Sequence, residues 1–152
     1  MVSSGPLPFA VNLPLLCPQI EDHIALIEKF RVPVAITSAG NPKLYTASLQ
    51  KMGCKVLHVV SSVKFAQKAE AAGVDGVIAE CFEAGGHNGR DETTTFVLMP
   101  SVRKAITIPL IAAGGIYSGA GIHAAMVLGA DSIEKLRELL GKGRAKKRHV
   151  QR

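Results

Sequence analysis

The sequence predicts an α/β protein in which short strands and helices alternate around a parallel sheet. Short apolar runs recur along the chain, and most are too continuously apolar for a sheet with one face in water. Helical patterns separate these runs. The segments "KMGCKVLHVV", "AAGVDGVIAE" and "VLGADSI" also repeat one order, in which a helix ends at a glycine and a strand follows. Such repeated strand-then-helix units are typical of either a doubly wound open sheet or a TIM-type barrel.

The apolar runs supply six predicted strands. In chain order they are "PFAVNL" (8–13), "PVAITS" (33–38), "KVLHVVS" (55–61), "GVIAE" (76–80), "PLIAAGG" (109–115) and the short run "ADSI" (130–133). A helical pattern follows each of the first five. The chain is therefore predicted to contain about five complete βα units and a strand stub.

The helices between these strands carry recognisable start and stop signals. Four apolar residues at helical spacing predict the first helix, namely Ile20, Ile24, Ile27 and Phe30. Asn41 followed by Pro42 provides an N-cap and a first-turn proline for the second. The segment "SSVKFAQKAEAAG" predicts a helix that begins after serine and ends at Gly73. Two further helices are predicted at about 96–105 and 119–128.

Length and charge divide the chain into one domain and a terminal segment. With 152 residues, 47% of them hydrophobic, the chain is long enough for one compact domain. Residues 1–133 are neutral, so the whole formal charge of +6 lies in 134–152. We predict that 1–133 form the domain and that 134–152 form a basic helical segment and solvated tail. Because no aromatic side chains interleave these charges, we do not expect a nucleic-acid partner.

Cysteine usage and the apolar segments predict a cytoplasmic protein. The three cysteines, Cys17, Cys54 and Cys81, are odd in number and widely spaced, which favours neither a disulfide framework nor a metal site. No apolar run reaches membrane-spanning length, and prolines interrupt the apolar N-terminus, which lacks the basic start of a signal peptide. We therefore expect a reducing compartment and no membrane contact.

Polar and glycine residues collect at the carboxyl ends of the predicted strands, where both candidate architectures place function. They are Asn12, residues 37–40, Ser61, Ser62, residues 80–87 and residues 112–115. In "EAGGHNGR" (83–90), glycines 85, 86 and 89 allow the backbone to approach a ligand closely, and His87 can exchange a proton near neutral pH. This segment is interpreted either as a binding loop with a general base or as an ordinary flexible loop.

A second glycine pair suggests an anion site. In "IAAGGI" (111–116), Gly114 and Gly115 follow a strand and precede a helix that starts near Ser118, so their N–H groups can face a phosphate. The other interpretation is a tight turn that needs glycine only for its conformation. His58 lies on an apolar strand and is predicted to be a core or lining residue. The sequence contains neither a G-x-G-x-x-G pattern nor a Walker pattern.

Taken together, "PFAVNLPLL", "VAITSAGNP", "VLHVVSSVKFAQKAEAAGVDGVIAECFEAGGHNGR" and "IPLIAAGGI" resemble the nitronate monooxygenase family, formerly called 2-nitropropane dioxygenases. The flavin-dependent enoyl-acyl-carrier-protein reductases are close relatives of that family. The resemblance extends from about Pro8 to Ile133. It implies that residues 1–133 form a partial TIM barrel that binds FMN at its carboxyl rim and needs no metal.

The resemblance also implies a role for each matching residue. His87 matches the active-site base for neutral nitroalkanes. The implied cofactor-binding residues are Asn12, Glu80, Gly85, Gly86, Gly114 and Gly115, the last two at the FMN phosphate. The implied reaction is oxidative denitrification, in which an alkyl nitronate or nitroalkane and molecular oxygen give a carbonyl compound and nitrite.

Two alternatives to this reaction stay open. In the reductase relatives, a reduced nicotinamide delivers hydride to FMN, and no element of the sequence separates the two outcomes. The third hypothesis is a non-catalytic remnant or interaction module whose basic tail binds an acidic surface.

The sequence departs from the family pattern at both ends. A complete barrel needs eight strands and roughly 250 residues. Family members carry two more glycine-rich strands before the matching region, the first with a glutamine-glycine-glycine-methionine stretch, and "LGADSI" passes here directly into "EKLRELLGKGRAKK". We therefore expect a truncated or internally deleted member with weakened flavin binding. Its exposed sheet edges favour an open sheet, a homo-oligomer or partial folding.

Overall fold

A computed structural model of the chain describes residues 9–86 and 88–133. Six strands are present in this part: β1 Ala10–Pro14, β2 Val34–Ser38, β3 Lys55–Val60, β4 Gly76–Glu80, β5 Leu110–Ala113 and β6 Ser132–Ile133. The helices between them are α1 Ile20–Lys29, α2 Thr46–Lys51, α3 Val63–Ala71, α4 Thr95–Ala105 and α5 Gly119–Val127, with a 3-10 turn Pro42–Leu44 before α2. The predicted order of five βα units and a strand stub is confirmed.

The predicted capping signals act as expected. The side-chain oxygen of Asn41 accepts a hydrogen bond of 3.1 Å from the backbone N–H of Lys43 and starts the 3-10 turn. At α3, the Ser62 hydroxyl accepts a hydrogen bond of 3.3 Å from the N–H of Phe65. After α3, Gly73 adopts a φ of 80°, the left-handed conformation that ends many helices.

The predicted apolar stripe of α1 is one residue too long. Ile20, Ile24 and Ile27 are buried as expected, but Phe30 is 64% exposed. The helix ends at Lys29, and the chain then turns through Arg31, whose φ is 49°. Because Phe30 lies beyond the last helical residue, helical spacing no longer directs its side chain toward the core.

The sheet is entirely parallel, and its strands lie side by side in chain order from β1 to β6. The register pairs Ala10 with Val34, Val34 with Lys55, and Leu57 with Gly76. A doubly wound sheet reverses direction at a switch point, whereas a TIM barrel places each new strand beside the preceding one. The described residues therefore form six consecutive strands of a (β/α) barrel wall, which decides between the two predicted architectures.

The two faces of this wall differ in burial. The face that the helices cover forms the core, and seven of its apolar strand side chains are at most 1% exposed, namely Leu13, Ala35, Val56, Val77, Ala79, Leu110 and Ala112. Leu49 of α2, Ala66 of α3 and Met99 of α4 pack against them and are fully buried. On the inner face, Ile36 and Leu57 are only half-buried. Most of the apolar stabilisation therefore lies between the sheet and the helices.

Carboxylates fasten the amino ends of the strands. Asp75 accepts hydrogen bonds from the N–H of Val56 at 2.9 Å and from Lys55 Nζ at 2.7 Å. Asp131, which lies between α5 and β6, repeats this arrangement. It accepts hydrogen bonds from the N–H of Leu110 at 2.8 Å and from Arg103 at 3.0 Å. The repeated "GVD" and "GAD" segments therefore connect the start of β4 to β3 and the start of β6 to β5.

No helix in the part of the chain that the structure describes has the length and apolar character needed to cross a bilayer.

Candidate functional site

An open cleft of about 1420 Å³ lies over the carboxyl ends of β1 to β4. Asn12 of β1, Ser38 of β2 and Glu80 of β4 line it together with the loop residues Asn88 and Arg90. The Ser38 hydroxyl donates a hydrogen bond of 3.3 Å to Asn12 Oδ1. The structure therefore brings two of the predicted cofactor-binding residues, Asn12 and Glu80, to one cleft.

The glycine pair after β5 lies beside the turn after β4. Gly114 and Gly115 have φ values of 108° and 67°. A Cβ on Gly114 would come within 3.0 Å of the Cys81 carbonyl oxygen, and a Cβ on Gly115 within 2.7 Å of Glu83 Cβ. Both positions therefore require glycine for conformation and for close packing, as one of the two sequence interpretations expected.

The same turn also has the donors that an anion needs. Among the described residues, the N–H groups of Gly114, Gly115 and Ile116 take part in no backbone hydrogen bond. Helix α5 begins three residues later, capped by the Ser118 hydroxyl, which accepts from the N–H of Gly121 at 3.1 Å. Successive free N–H groups in a positive-φ turn before a helix form a concave anion site. The residues present therefore fit a phosphate group as well as a tight turn.

The loop after β4 is fastened on both sides of position 87. Asn88 Nδ2 donates hydrogen bonds to the carbonyl oxygens of Phe82 at 3.0 Å and Ala84 at 3.1 Å. Gly89 lies so close to Ser61 that a Cβ there would overlap the serine side chain. His87 itself lies outside the described residues. The described residues next to it, Asn88 and Gly89, are held in place by these contacts.

The glycines of this loop differ in their surroundings. Gly86 has a φ of 92°, a conformation that favours glycine, while an added Cβ at Gly85 or Gly86 would meet no described atom within 4 Å. Both residues are exposed and do not line the cleft of Asn12 and Glu80. The structure therefore brings only Asn12 and Glu80 of the predicted cofactor-binding residues to this cleft; Gly85 and Gly86 do not line it, and neither do Gly114 and Gly115.

Glu83 connects this loop to α4. Its carboxylate accepts hydrogen bonds from the N–H of Thr95 at 3.1 and 3.2 Å and from the Thr95 hydroxyl at 3.2 Å. Sequence analysis missed this cap and the Asn88 bonds. Asparagine in a glycine-rich loop is a local signal for side-chain-to-backbone bonding. No local signal existed for Glu83, because its partner is twelve residues away.

Two buried groups below the cleft are neutral at neutral pH. Burial lowers the pKa of His58 to about 4, and its Nδ1 lies 2.7 Å from the Thr37 hydroxyl. The Thr37 hydroxyl also lies 3.1 Å from the Leu57 carbonyl oxygen, so it has two hydrogen-bonding partners in the core. Burial is also the main reason that the pKa of the Cys81 thiol is raised. His58 is a buried, hydrogen-bonded residue that also lines the cleft, as expected of a core or lining residue, and its lowered pKa makes it a weak base.

No group of histidine, cysteine, aspartate and glutamate side chains that could hold a metal ion occurs within residues 9–86 and 88–133.

Sequence comparison identifies the class of protein that this arrangement belongs to. The family described as nitronate monooxygenase matches residues 9–139, so the chain belongs to the nitronate monooxygenase family. A nitronate monooxygenase of Paraburkholderia phytofirmans is 42% identical over 95 residues, which are 58% of this chain and 26% of that protein. A 5-hydroxy-7a-methyl-1-oxo-octahydro-indene-4-carboxyl-CoA dehydrogenase of Rhodococcus jostii is 36% identical over 126 residues, 83% of this chain and 35% of that protein.

Solved structures match the same region. FabK from Thermotoga maritima is 46% identical with a TM-score of 0.79, and the match covers 83% of this chain and 40% of FabK. A nitroalkane oxidase from Streptomyces ansochromogenes is 28% identical with a TM-score of 0.76, covering 84% of this chain and 49% of that protein. The chain thus spans about a third of the length of the curated relatives and less than half of either solved structure.

Proposed function

We propose that the chain is an FMN-dependent oxidoreductase of the nitronate monooxygenase type, which oxidises alkyl nitronates or nitroalkanes with molecular oxygen. The observation that carries the proposal is the packing of the turn 81–84 against Gly114 and Gly115 at the carboxyl edge of a barrel wall. The family match to residues 9–139 and the similarity to a nitroalkane oxidase support it.

The described residues would hold FMN at two places. The N–H groups of Gly114 and Gly115, which make no backbone hydrogen bond to another described residue, would bind its phosphate as a donor array before α5. Asn12 and Glu80 would contact the ring system from the inner face of the sheet, where they line the cleft. Glu80 pairs with Ala113, the residue before the glycine turn, so the two places are neighbours. When bound, FMN supplies the electron-accepting chemistry.

His87 would act as the general base in this scheme. It would take the proton from the carbon beside the nitro group of a neutral nitroalkane, a step that suits a side chain titrating near neutral pH. Asn88 holds the backbone next to it through two carbonyl oxygens. His58 cannot take over this role, because it is buried on the helix-covered face and its pKa is lowered to about 4.

The test separates proton abstraction from oxidation. Purified full-length chain is titrated with FMN, and oxygen consumption is measured with a neutral nitroalkane and with its preformed nitronate. His87→Ala should lower the nitroalkane rate roughly 100-fold or more while nitronate oxidation persists. His123→Ala, at an exposed position on α5, is the matched control and should change neither rate.

Two results would contradict the proposal. Equal loss of both rates in His87→Ala would remove the assigned base role. Absence of nitronate-dependent oxygen consumption with saturating FMN would show that this chain does not have the activity.

The identity of 46% to FabK favours a second candidate, an FMN-dependent enoyl-acyl-carrier-protein reductase. The same FMN-loaded chain would then oxidise NADH or NADPH rapidly when an enoyl thioester is added. A thioester-independent rate would exclude this candidate.

We also propose a cytoplasmic location and association of two copies. Cys17, Cys54 and Cys81 are all free thiols, which suits a reducing compartment. The half-buried Ile36 and Leu57 on the inner face would gain cover from a second copy. Light scattering of the purified chain tests the association. The basic segment 134–152 lies outside the described residues, and its predicted role as a tail stays a prediction.

A further inference from the structure

The cleft extends beyond Asn12 and Glu80 into a strongly basic region, which we call the cationic groove. It is lined by Asn41, Lys43, Ser61, Phe65, Lys68 and Arg90. Lys43 comes from the turn after β2, Lys68 from α3, and Arg90 from the loop after β4. Three separate elements of the fold therefore bring three cations to one concave surface.

These cations are not paired with carboxylates of the described residues. The two ion pairs in the described part of the chain, Lys55 with Asp75 and Arg103 with Asp131, both lie at the opposite edge of the sheet. Glu80 is the one acidic residue among the described residues that line the cleft. A concave site with several uncompensated positive charges concentrates the positive electrostatic potential and attracts anions.

An exposed aromatic ring lies among these charges. Phe65 is 50% exposed, and Lys68 Nζ lies 6.0 Å from the centre of its ring. A phenyl face open to solvent is a platform on which a nucleobase can stack, and neighbouring lysine or arginine side chains can bind the attached phosphates. The Ser61 hydroxyl provides a neutral hydrogen-bonding group in the same groove.

We propose that the cationic groove binds the ADP portion of a nucleotide ligand, with the adenine on Phe65 and the two phosphates on Lys43, Lys68 and Arg90. This is the chemistry that coenzyme A and NAD(P)H share. Because the groove contains three cations, it favours a ligand with a diphosphate over one with a single phosphate. The groove lies at β2 to β4, whereas the glycine turn proposed for the FMN phosphate follows β5, so the two sites are separate.

The test uses isothermal titration calorimetry of the full-length chain with ADP at low ionic strength. Lys68→Gln and Arg90→Gln should each weaken ADP binding about tenfold, because each removes one charged phosphate contact. Phe65→Ala should weaken ADP binding about fivefold or more and leave pyrophosphate binding unchanged, because pyrophosphate has no base to stack.

The chain contains a matched control outside the groove. On α1, Lys29 Nζ lies 5.5 Å from the ring of exposed Phe30, so this pair repeats the chemistry of Lys68 and Phe65. Lys29→Gln and Phe30→Ala should leave ADP affinity unchanged. Parallel titrations with coenzyme A and NADH identify the source of the ADP portion, since the true ligand should bind more tightly than ADP itself.

Three results would overturn the proposal. Absence of saturable ADP binding would do so directly. ADP binding that ignores the groove substitutions and disappears on deletion of 134–152 would assign it to the basic segment. Complete displacement of ADP by FMN would show that the groove is part of the flavin site. Because ADP binding is measured without FMN or turnover, failure here and failure of the proposed oxidase activity are distinguishable.

Discussion

The amino edge and the carboxyl edge of the sheet use charge in opposite ways. At the amino edge, Asp75 and Asp131 bind strand N–H groups and neighbouring cations, and Glu70 accepts from the N–H groups of Thr107 at 2.7 Å and Ile108 at 3.2 Å. At the carboxyl edge, Lys43 and Arg90 line an open cleft without a described carboxylate partner. The difference indicates that one edge stabilises the fold and the other is available for binding, the division of labour known in barrel enzymes.

The largest expected effect concerns His58, which lies in the core between the two edges. It tests whether this residue makes the free energy of unfolding fall in acid. The pKa of His58 is lowered to about 4 in the folded chain and returns to about 6.5 on unfolding. The unfolded state therefore binds a proton first as pH falls. We expect up to about 3 kcal/mol of unfolding free energy to be lost between pH 6.5 and pH 4.

Urea denaturation at a series of pH values measures this loss, and His58→Gln, which does not titrate, is the control. The carboxylates of the amino edge do not interfere in the upper part of this range. Hydrogen bonds from Thr107 hold the pKa of Glu70 below its ordinary value. Burial opposes ionisation of Asp75, but hydrogen bonds from Lys55, Val56 and Gln50 outweigh it and lower its pKa. An equal pH dependence in His58→Gln would contradict the prediction.

The next effect sharpens the comparison of the edges. Asp75→Ala removes the acceptor of the Val56 N–H and should lower the free energy of unfolding by about 2–3 kcal/mol. Most of this comes from the backbone contact, because Lys55 is 74% exposed and its ion pair contributes little. Arg90→Gln at the carboxyl edge should change stability by less than about 0.5 kcal/mol. Urea midpoints measure both, and similar losses would refute the division between the edges.

The smallest expected effect tests whether the carboxyl edge contributes to the free energy of unfolding. Gly115→Ala places a Cβ in a left-handed conformation next to Glu83 and should cost about 1–2 kcal/mol. Gly85→Ala meets no described atom within 4 Å and should be nearly neutral. Thermal unfolding of the two variants gives the comparison. Equal melting temperatures would mean that the 81–84 turn adapts to the added methyl group.

Local patterns predicted the framework of the fold because they depend on neighbours in the sequence. The strand at Gly76–Glu80 and the caps at Asn41 and Ser62 lie where the sequence placed them. Phe30 was predicted wrongly because its orientation depends on the residue at which α1 ends.

Contacts between distant segments could not be predicted in the same way. Asp75 binds Val56, Glu83 binds Thr95, and the partners become neighbours only when strands pair in a particular order. Lys43, Lys68 and Arg90 show no common spacing, so their shared groove is visible only in the structure. Asn12 and Glu80 were predicted to lie at the same edge because both end strands of one parallel sheet, and they line one cleft.

The order of the strands also bears on how the polypeptide assembles during synthesis. Each strand finds its partner in the segment made just before it, since Ala10 pairs with Val34 and Val34 with Lys55. Ribosomes add roughly 5–20 residues per second, which is slow compared with the closing of a loop between such neighbours. Each emerging βα unit can therefore dock on a sheet edge that already exists. We expect this chain to fold vectorially, so that every intermediate length offers one growing edge as the template for the next strand.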